Sequence, residues 1–262
     1  MTELSDRLSV AGRLAQEAAA MALRLRPKAG DAVLKSEGLG QDWLTEADGA
    51  VERFLSEELL KAFPEDGFQG EEAGLHREGT LRWVVDPIDG TSNFAHGGQR
   101  WCVSIGLVGD GEALLGAICA PQLDQLFLAR KGQGATLNGA PIRAAATARL
   151  DRAMVECGWS PRRPDALFQA MVQKVMGQGA MLRAGGSGTL GLADVAAGTQ
   201  DAYVELHINL WDVAAALVVL AEAGARVSPF IAQADAAGGA PILAAAPSIA
   251  EELSALSGIS LG

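Results

Sequence analysis

The amino-acid sequence predicts a mixed α/β protein whose two halves are built differently. Apolar residues recur at helical spacing over Leu4–Arg26 and again over Thr45–Phe63. Short apolar runs separated by glycine, proline and asparagine follow, as expected for a largely antiparallel sheet. Strand-like and helix-like segments then alternate, which indicates layers of sheet and helix. We therefore predict an N-terminal α+β subdomain, 1–148, and a C-terminal α/β subdomain, 149–262.

The individual elements follow from the same patterns. Pro27 and Gly30 end the first helix, and turn sequences such as Asn138-Gly139 separate the strands of the first sheet. Strands of the N-terminal half are expected at Leu81–Val85, Trp101–Val108, Ala113–Ala120 and Leu126–Ala129. In the C-terminal half we expect strands at Met154–Cys157 and Ala202–Glu205, and helices at Asp165–Met176, Ser187–Gly198, Asn209–Gly224 and Ser248–Leu256.

Composition and charge narrow the class of protein. Apolar residues make up 49% of the 262 positions and charged residues 20%, which is typical of a soluble globular protein. The net charge of −11 argues against a surface for nucleic acid or anionic membrane. No apolar run reaches the ~18 residues of a membrane span, and the polar N-terminus does not resemble a signal peptide. The three cysteines show no metal-binding spacing, so we expect a cytoplasmic protein.

One segment carries most of the functional information. The apolar run Trp83–Val85 leads directly into Asp86 and Asp89, and Gly90 and a hydroxyl cluster that includes Thr91 follow. Two carboxylates provide hard oxygen ligands, and the turn offers backbone N–H groups at the end of a strand. Divalent metal ions and phosphate groups both bind at such places.

Three further acids gain meaning when they are considered together. Asp48 and Asp212 each fit a helix capping box, with Thr45 and Asn209 as the N-cap residues, and Glu71 reads as an acid at a strand end. Taken alone, each has an ordinary structural explanation. Together they lie at strand ends and helix starts, where α/β folds gather their active sites. Carboxylates that converge in a partly buried cleft repel one another, so such a cluster requires cations.

The chemistry of the ligands favours magnesium. All candidate ligands are oxygen donors, which suit Mg²⁺ and other hard cations. The three histidines, His76, His96 and His207, are scattered along the chain, which argues against a zinc site.

These motifs resemble the signature set of the inositol monophosphatase family, in its order and spacing over roughly 35–228. The resemblance rests on Gly70-Glu71-Glu72, Asp86–Phe94, Trp211–Ala215 and Glu222-Ala223-Gly224, supported by Lys35, Asp42–Asp48 and Gly186-Ser187-Gly188. It implies the layered α/β/α/β/α sandwich shared with fructose bisphosphatases. It also implies Mg²⁺-dependent hydrolysis of a small phosphate monoester, with two or three ions in each active site.

The resemblance assigns metal ligands and catalytic roles to individual residues. Glu71, Asp86 and the carbonyl of Ile88 would hold one ion, a third ion could lie near Glu71, and Asp86, Asp89 and Asp212 would hold another. A metal-bound water, rather than a side chain, would then be the nucleophile. The catalytic set implied by the resemblance is Thr91, which would orient this water, Asp48, which would polarise the Thr91 hydroxyl, and Glu71.

Recognition of the substrate is implied for a wider set of residues. These are Asp89, Gly90, Thr91, Ser92, Gly186, Ser187, Gly188, Glu205 and Asp212. The expected substrate is a small phosphorylated polyol, foremost an inositol monophosphate. Histidinol phosphate is the first alternative, followed by sugar and nucleotide phosphates such as fructose 1,6-bisphosphate and adenosine 3′,5′-bisphosphate.

Two further expectations come from the family. A regulatory, protein-binding role independent of catalysis is the alternative from another class, and the resemblance also implies a homodimer. The segment His96–Trp101 departs from the family pattern, because it lacks the usual proline and places Arg100 and Trp101 near the expected entrance of the site.

Overall fold

The computed structural model describes residues 2–27, 33–34, 43–44, 46–234 and 239–261. Its helices are α1 Thr2–Leu25, α2 Glu46–Ala62, α3 Thr91–Ala95, α4 Asp165–Gly177, α5 Gly188–Ala196, α6 Leu210–Glu222, α7 Phe230–Gln233 and α8 Ala250–Ser257. Its strands are β1 Val33–Leu34, β2 Trp43–Leu44, β3 Gly67–Gly70, β4 Leu75–Arg77, β5 Leu81–Asp89, β6 Cys102–Gly109, β7 Glu112–Ala120, β8 Gln125–Arg130, β9 Ala135–Leu137, β10 Ala140–Pro141, β11 Met154–Gly158, β12 Met181–Arg183, β13 Ala202–Asn209, β14 Arg226–Val227 and β15 Gly239–Ala245.

The first large sheet has the strand order β10-β9-β8-β7-β6-β5-β3-β4. Neighbouring strands are antiparallel except for β3 and β5, which run parallel. Helices α1 and α2 cover one face of this sheet, and small residues along α1 let the helix approach closely. The buried alanines of α1 are Ala11, Ala15, Ala18, Ala19 and Ala22.

The second sheet has the order β12-β11-β13-β15-β14. Strand β11 lies parallel to both β12 and β13, whereas β15 is antiparallel to β13. Helices α4 and α8 pack together on its outer face and bury a small apolar core.

Helices α5 and α6 fill the space between the two sheets and complete five layers. Two strand glycines allow α6 to lie directly on the first sheet. A β-carbon at Gly106 would come within 2.7 Å of the Ala214 β-carbon, and one at Gly116 within 2.2 Å of the Ala215 carbonyl oxygen. The predicted α/β/α/β/α sandwich is therefore confirmed.

The predicted helices and strands are found with ends that shift by a few residues. Several elements were not predicted, among them the edge strand β12 and the inner strand β15. The first large sheet is built from residues before 148 and the second from residues after it. Helices α5 and α6, which follow residue 148, nevertheless pack on the first sheet. The division into two subdomains stays a prediction. Lys35, Asp42 and Thr45 lie outside the described residues. Within the described part of the chain, no helix is long and apolar enough to cross a membrane.

Candidate active site

Three buried or half-buried carboxylates converge between the two sheets. Oxygen atoms of Asp86, Asp89 and Asp212 all lie within 4.8 Å of one another. The first two come from the end of β5 and the third from the first turn of α6. The fold thus brings three of the predicted acids together.

An irregularity in β5 brings its two aspartates together. Residues three apart on a regular strand point to opposite faces of the sheet. The pairing of β5 with β6 shifts register between Asp86 and Asp89, and such a bulge redirects a side chain. The Asp86 carboxylate also accepts the N–H of Ile88 at 2.9 Å, which fixes the turn of the chain.

The first turn of α6 holds Asp212. Its carboxylate accepts the N–H of Asn209 at 2.9 Å and completes the predicted capping box. The positive end of the helix dipole favours a negative charge at this place. The same capping interaction therefore also aims a carboxylate at the strand end of the first sheet.

Burial makes this cluster unfavourable in its charged form. Burial raises the pKa of Asp86 well above its usual range, and the charges of Glu71, Asp89 and Asp212 raise it further. Burial, with the charge of Asp212, raises the pKa of Asp89 to about 7, although hydrogen bonds from Ser187 and Thr189 oppose the shift. Burial also raises the pKa of Asp212. A group of hard oxygen donors that repel one another fits divalent cations such as Mg²⁺.

Glu71 lies beside this cluster on the turn that follows β3. The buried carboxylate of Glu52 in α2 holds the turn by accepting the N–H groups of Glu72 and Ala73, both at 2.8 Å. A β-carbon at Gly70 would lie 2.2 Å from the Glu52 carboxylate, so a larger residue there would displace this side chain. Sequence reasoning missed Glu52, since an acid in an amphipathic helix is normally read as a solvent-facing residue.

The chain turns into α3 immediately after β5. Gly90 adopts a φ of 87°, and Thr91 begins the helix. The Thr91 hydroxyl donates to the carbonyl of Ile88 at 2.9 Å, so it contacts a group to which the family resemblance gives a metal-binding role. Asp48 is buried in α2, and its effect on Thr91 stays a prediction.

A cavity of about 400 Å³ opens beside the carboxylates. The predicted residues that line it are Glu71, Asp89, Ser92, Gly186, Ser187, Gly188, Glu205 and Asp212. Ser187 is the N-cap of α5, since it accepts the N–H of Leu190, and its hydroxyl also donates to Asp89. One side chain thus caps a helix, lines the cavity and contacts the acidic cluster.

Glu205 lies in the cavity wall with a partner that the sequence did not suggest. The buried hydroxyl of Tyr203 donates to its carboxylate from two residues away on β13. Burial raises the pKa of Glu205 to about 8, and this hydrogen bond opposes the shift only in part. The sequence contained a weak signal for the pair, because both residues lie on the same face of a strand.

Glycine at position 90 is expected to be essential for this geometry. A β-carbon would lie 2.9 Å from the Arg100 carbonyl oxygen and 3.1 Å from the Ser187 β-carbon, in a backbone conformation that side chains avoid. Gly90→Ala should lower the melting temperature and reduce activity strongly. Gly97→Ala is the matched control, since Gly97 also has a positive φ of 83° but has open space around it. Equal losses of activity in both variants would contradict this role.

The similarity to known proteins agrees with this geometry. The family model described as "Inositol monophosphatase family" matches residues 3–257. The chain is 40% identical to the Nus factor SuhB of Xylella fastidiosa over 72% of its length and 70% of that protein. It is 38% identical to the inositol-1-monophosphatase of Rhizobium meliloti over 70% of each chain. The structure of inositol monophosphatase from Anabaena superimposes with a TM-score of 0.84 at 31% identity, covering 98% of both chains.

The layered fold, the clustered acids at strand ends and these relatives together identify the protein as a phosphoric monoester hydrolase. The chain belongs to the inositol monophosphatase family.

Proposed function

We propose that the protein hydrolyses small phosphate monoesters with the help of two or three Mg²⁺ ions, and that an inositol monophosphate is the preferred substrate. The observation that carries the proposal is the cluster of Asp86, Asp89 and Asp212 at a cavity of about 400 Å³. The cavity volume suits a small polyol phosphate.

The residues at the cluster would serve as metal ligands. Asp86, Asp89, Asp212, Glu71 and the carbonyl of Ile88 would hold the ions. Bound there, the ions would neutralise the phosphoryl oxygens and activate water for in-line attack.

The turn after β5 would bind the phosphate and orient the water. The backbone N–H groups of Gly90 and Thr91 lie at a chain turn where they can receive phosphate oxygens. Because the Thr91 hydroxyl donates to Ile88, its oxygen is an acceptor for a water proton. Polarisation by Asp48 would require this hydroxyl to turn away from Ile88.

The charge state of Glu205 favours a polyol over an amine. In the metal-free protein burial raises the pKa of this carboxyl to about 8, which favours the neutral form more than in an ordinary glutamate, and that form can both donate to and accept from a hydroxyl group. Histidinol phosphate carries an ammonium group, which would need an ionised carboxylate as its partner. Inositol monophosphate therefore fits better than the histidinol ester.

Phosphate release from a panel of esters tests the proposal. The panel contains inositol 1-phosphate, histidinol phosphate, fructose 1,6-bisphosphate and adenosine 3′,5′-bisphosphate, each with magnesium and with EDTA. We expect turnover only with magnesium, and a kcat/KM for inositol 1-phosphate at least about tenfold above the others, which corresponds to roughly 1.4 kcal/mol of selectivity. Faster hydrolysis of histidinol phosphate would reject the substrate, and turnover in EDTA would reject the metal.

A partner-binding role is the second candidate, favoured by relatives that are named Nus factor SuhB. The acidic pI of about 4.8 supports a protein partner rather than direct binding of nucleic acid. A homodimer located in the cytoplasm, with no direct contact to nucleic acid or membrane, completes the proposal.

A further inference from the structure

Arg100 lies at the centre of a buried ion-pair network next to the cavity. Its guanidinium donates to Asp194 of α5 at 2.8 Å and to Glu156 of β11 at 3.1 Å. Only 17% of the Arg100 side chain is exposed, and the exposed fraction is 9% for the Asp194 side chain and 2% for that of Glu156. The network therefore joins the segment between α3 and β6 to the C-terminal half of the molecule.

The same network holds the loop before α5. The second oxygen of Glu156 accepts the N–H of Gly185 at 2.8 Å. The side-chain amide of Asn93 donates to the carbonyls of Arg100 and Gly185, at 2.7 and 2.8 Å. A β-carbon at Gly185 would lie 2.3 Å from Nε of Arg100, so the loop packs directly against the guanidinium.

This loop leads into the contacts that fix Asp89. Two residues beyond Gly185, the hydroxyl of Ser187 donates to the Asp89 carboxylate, and the N–H of Thr189 donates to the same oxygen at 3.1 Å. Displacement of the loop would change the cavity wall and release the orientation of a proposed metal ligand. We propose that Arg100 is a positioning residue for the phosphatase reaction, which holds the 185–188 loop and, through Ser187 and Thr189, the carboxylate of Asp89.

The effect on phosphatase kinetics rests on the proposed function, whereas the effect on the position of the 185–188 loop does not. An arginine is suited to this place because its planar fork contacts two carboxylates at once, which a lysine ammonium would do less well. Removing it would take away the ion-pair partner of the buried Glu156 and leave Asp194 with only the more distant Arg183, at 3.7 Å, which by itself destabilises a protein. A test must therefore separate the effect of unpaired charges on Glu156 and Asp194 from the effect of a displaced 185–188 loop.

The neutral triple variant Arg100→Met, Glu156→Gln, Asp194→Asn makes this separation. It removes the guanidinium together with both charges, so its melting temperature is expected to lie above that of Arg100→Met alone. We expect kcat/KM for inositol 1-phosphate to stay roughly 10- to 100-fold below that of the unchanged protein, as for a misplaced active-site group. The magnesium concentration that gives half-maximal activity should rise as well.

Amide hydrogen exchange gives a readout that requires no turnover. In Arg100→Met and in the triple variant, the N–H groups of Gly185 and Thr189 should exchange faster than in the unchanged protein, while those of β7 should not. Arg149→Met is the matched control, because it removes an exposed Arg149–Asp151 pair whose residues do not line the cavity. Unchanged kinetics and exchange in the triple variant would overturn the proposal. If the unchanged protein hydrolyses no ester, the proposed function fails, and the exchange rates alone decide the role of Arg100.

Discussion

Replacing Asp86 by asparagine is expected to lower the phosphatase activity at least about 1000-fold, since loss of a shared metal ligand removes several kcal/mol of transition-state stabilisation. The same change should make the metal-free protein more resistant to heat. Without metal, Asp86 must either hold a buried charge near Glu71, Asp89 and Asp212 or take up a proton on folding. Asparagine does neither, and its side-chain oxygen can still accept the N–H of Ile88.

A variant that loses activity but gains metal-free stability has lost a metal ligand, whereas a variant with a damaged fold would lose both. Activity with magnesium and the melting temperature in EDTA at pH 8 are the two measurements. Asp110→Asn is the control, because Asp110 is exposed in the turn between β6 and β7 and its φ of 51° also suits asparagine. A variant that loses both activity and metal-free stability would contradict the repulsion argument.

The same variant separates catalysis from partner binding. If the cellular role is enzymatic, the Asp86→Asn gene should fail to complement a deletion strain. Full complementation by a protein shown to be inactive would favour the partner-binding role instead. Equal amounts of the two proteins in the cell must be verified first, since stability affects abundance.

The parts of the fold that could be predicted are those that short stretches of sequence indicate by their residue pattern. Helical spacing gave α1 and α2, and the carboxylates of Asp86 and Asp212 could be placed because each follows a recognisable strand or cap signal. Hydrophobic periodicity could not indicate the short helix α3, since one turn following Gly90 carries too few residues for a periodic signal. Strand β15 is rich in small apolar residues, which fit a helix equally well.

Residues that act through others were harder to find. Glu52 and Arg100 function through partners 20 to 94 positions away, and nothing local marks them. Arg100 was noted only as a departure from the family pattern near the entrance of the site. The fold shows that its guanidinium is directed instead toward Glu156 and Asp194. Long-range pairs of buried charges depend on the tertiary arrangement, so a single sequence does not specify them.

The stability gained from magnesium is expected to increase strongly with pH. In the metal-free protein the pKa of Asp89 is about 7, whereas in the unfolded chain it is about 4. Between these values the unfolded chain loses a proton that the folded protein keeps, so metal-free stability falls as the pH rises from about 4 to 7 and stays lower above that. The full difference is on the order of 4 kcal/mol for this group, and Asp86 and Asp212 shift in the same direction.

Bound cations offset this loss of stability at higher pH, because they favour the ionised carboxylates. The gap in melting temperature between magnesium and EDTA samples should therefore be small at pH 5 and widen up to about pH 8. Comparing the two samples at each pH cancels the titration of groups far from the site, which matters for a chain with a net charge of −11. In Asp86→Asn the gap should shrink at every pH, since one ligand is lost. A gap of equal size at pH 5 and pH 8 would show that these carboxylates do not bind the metal in their ionised form.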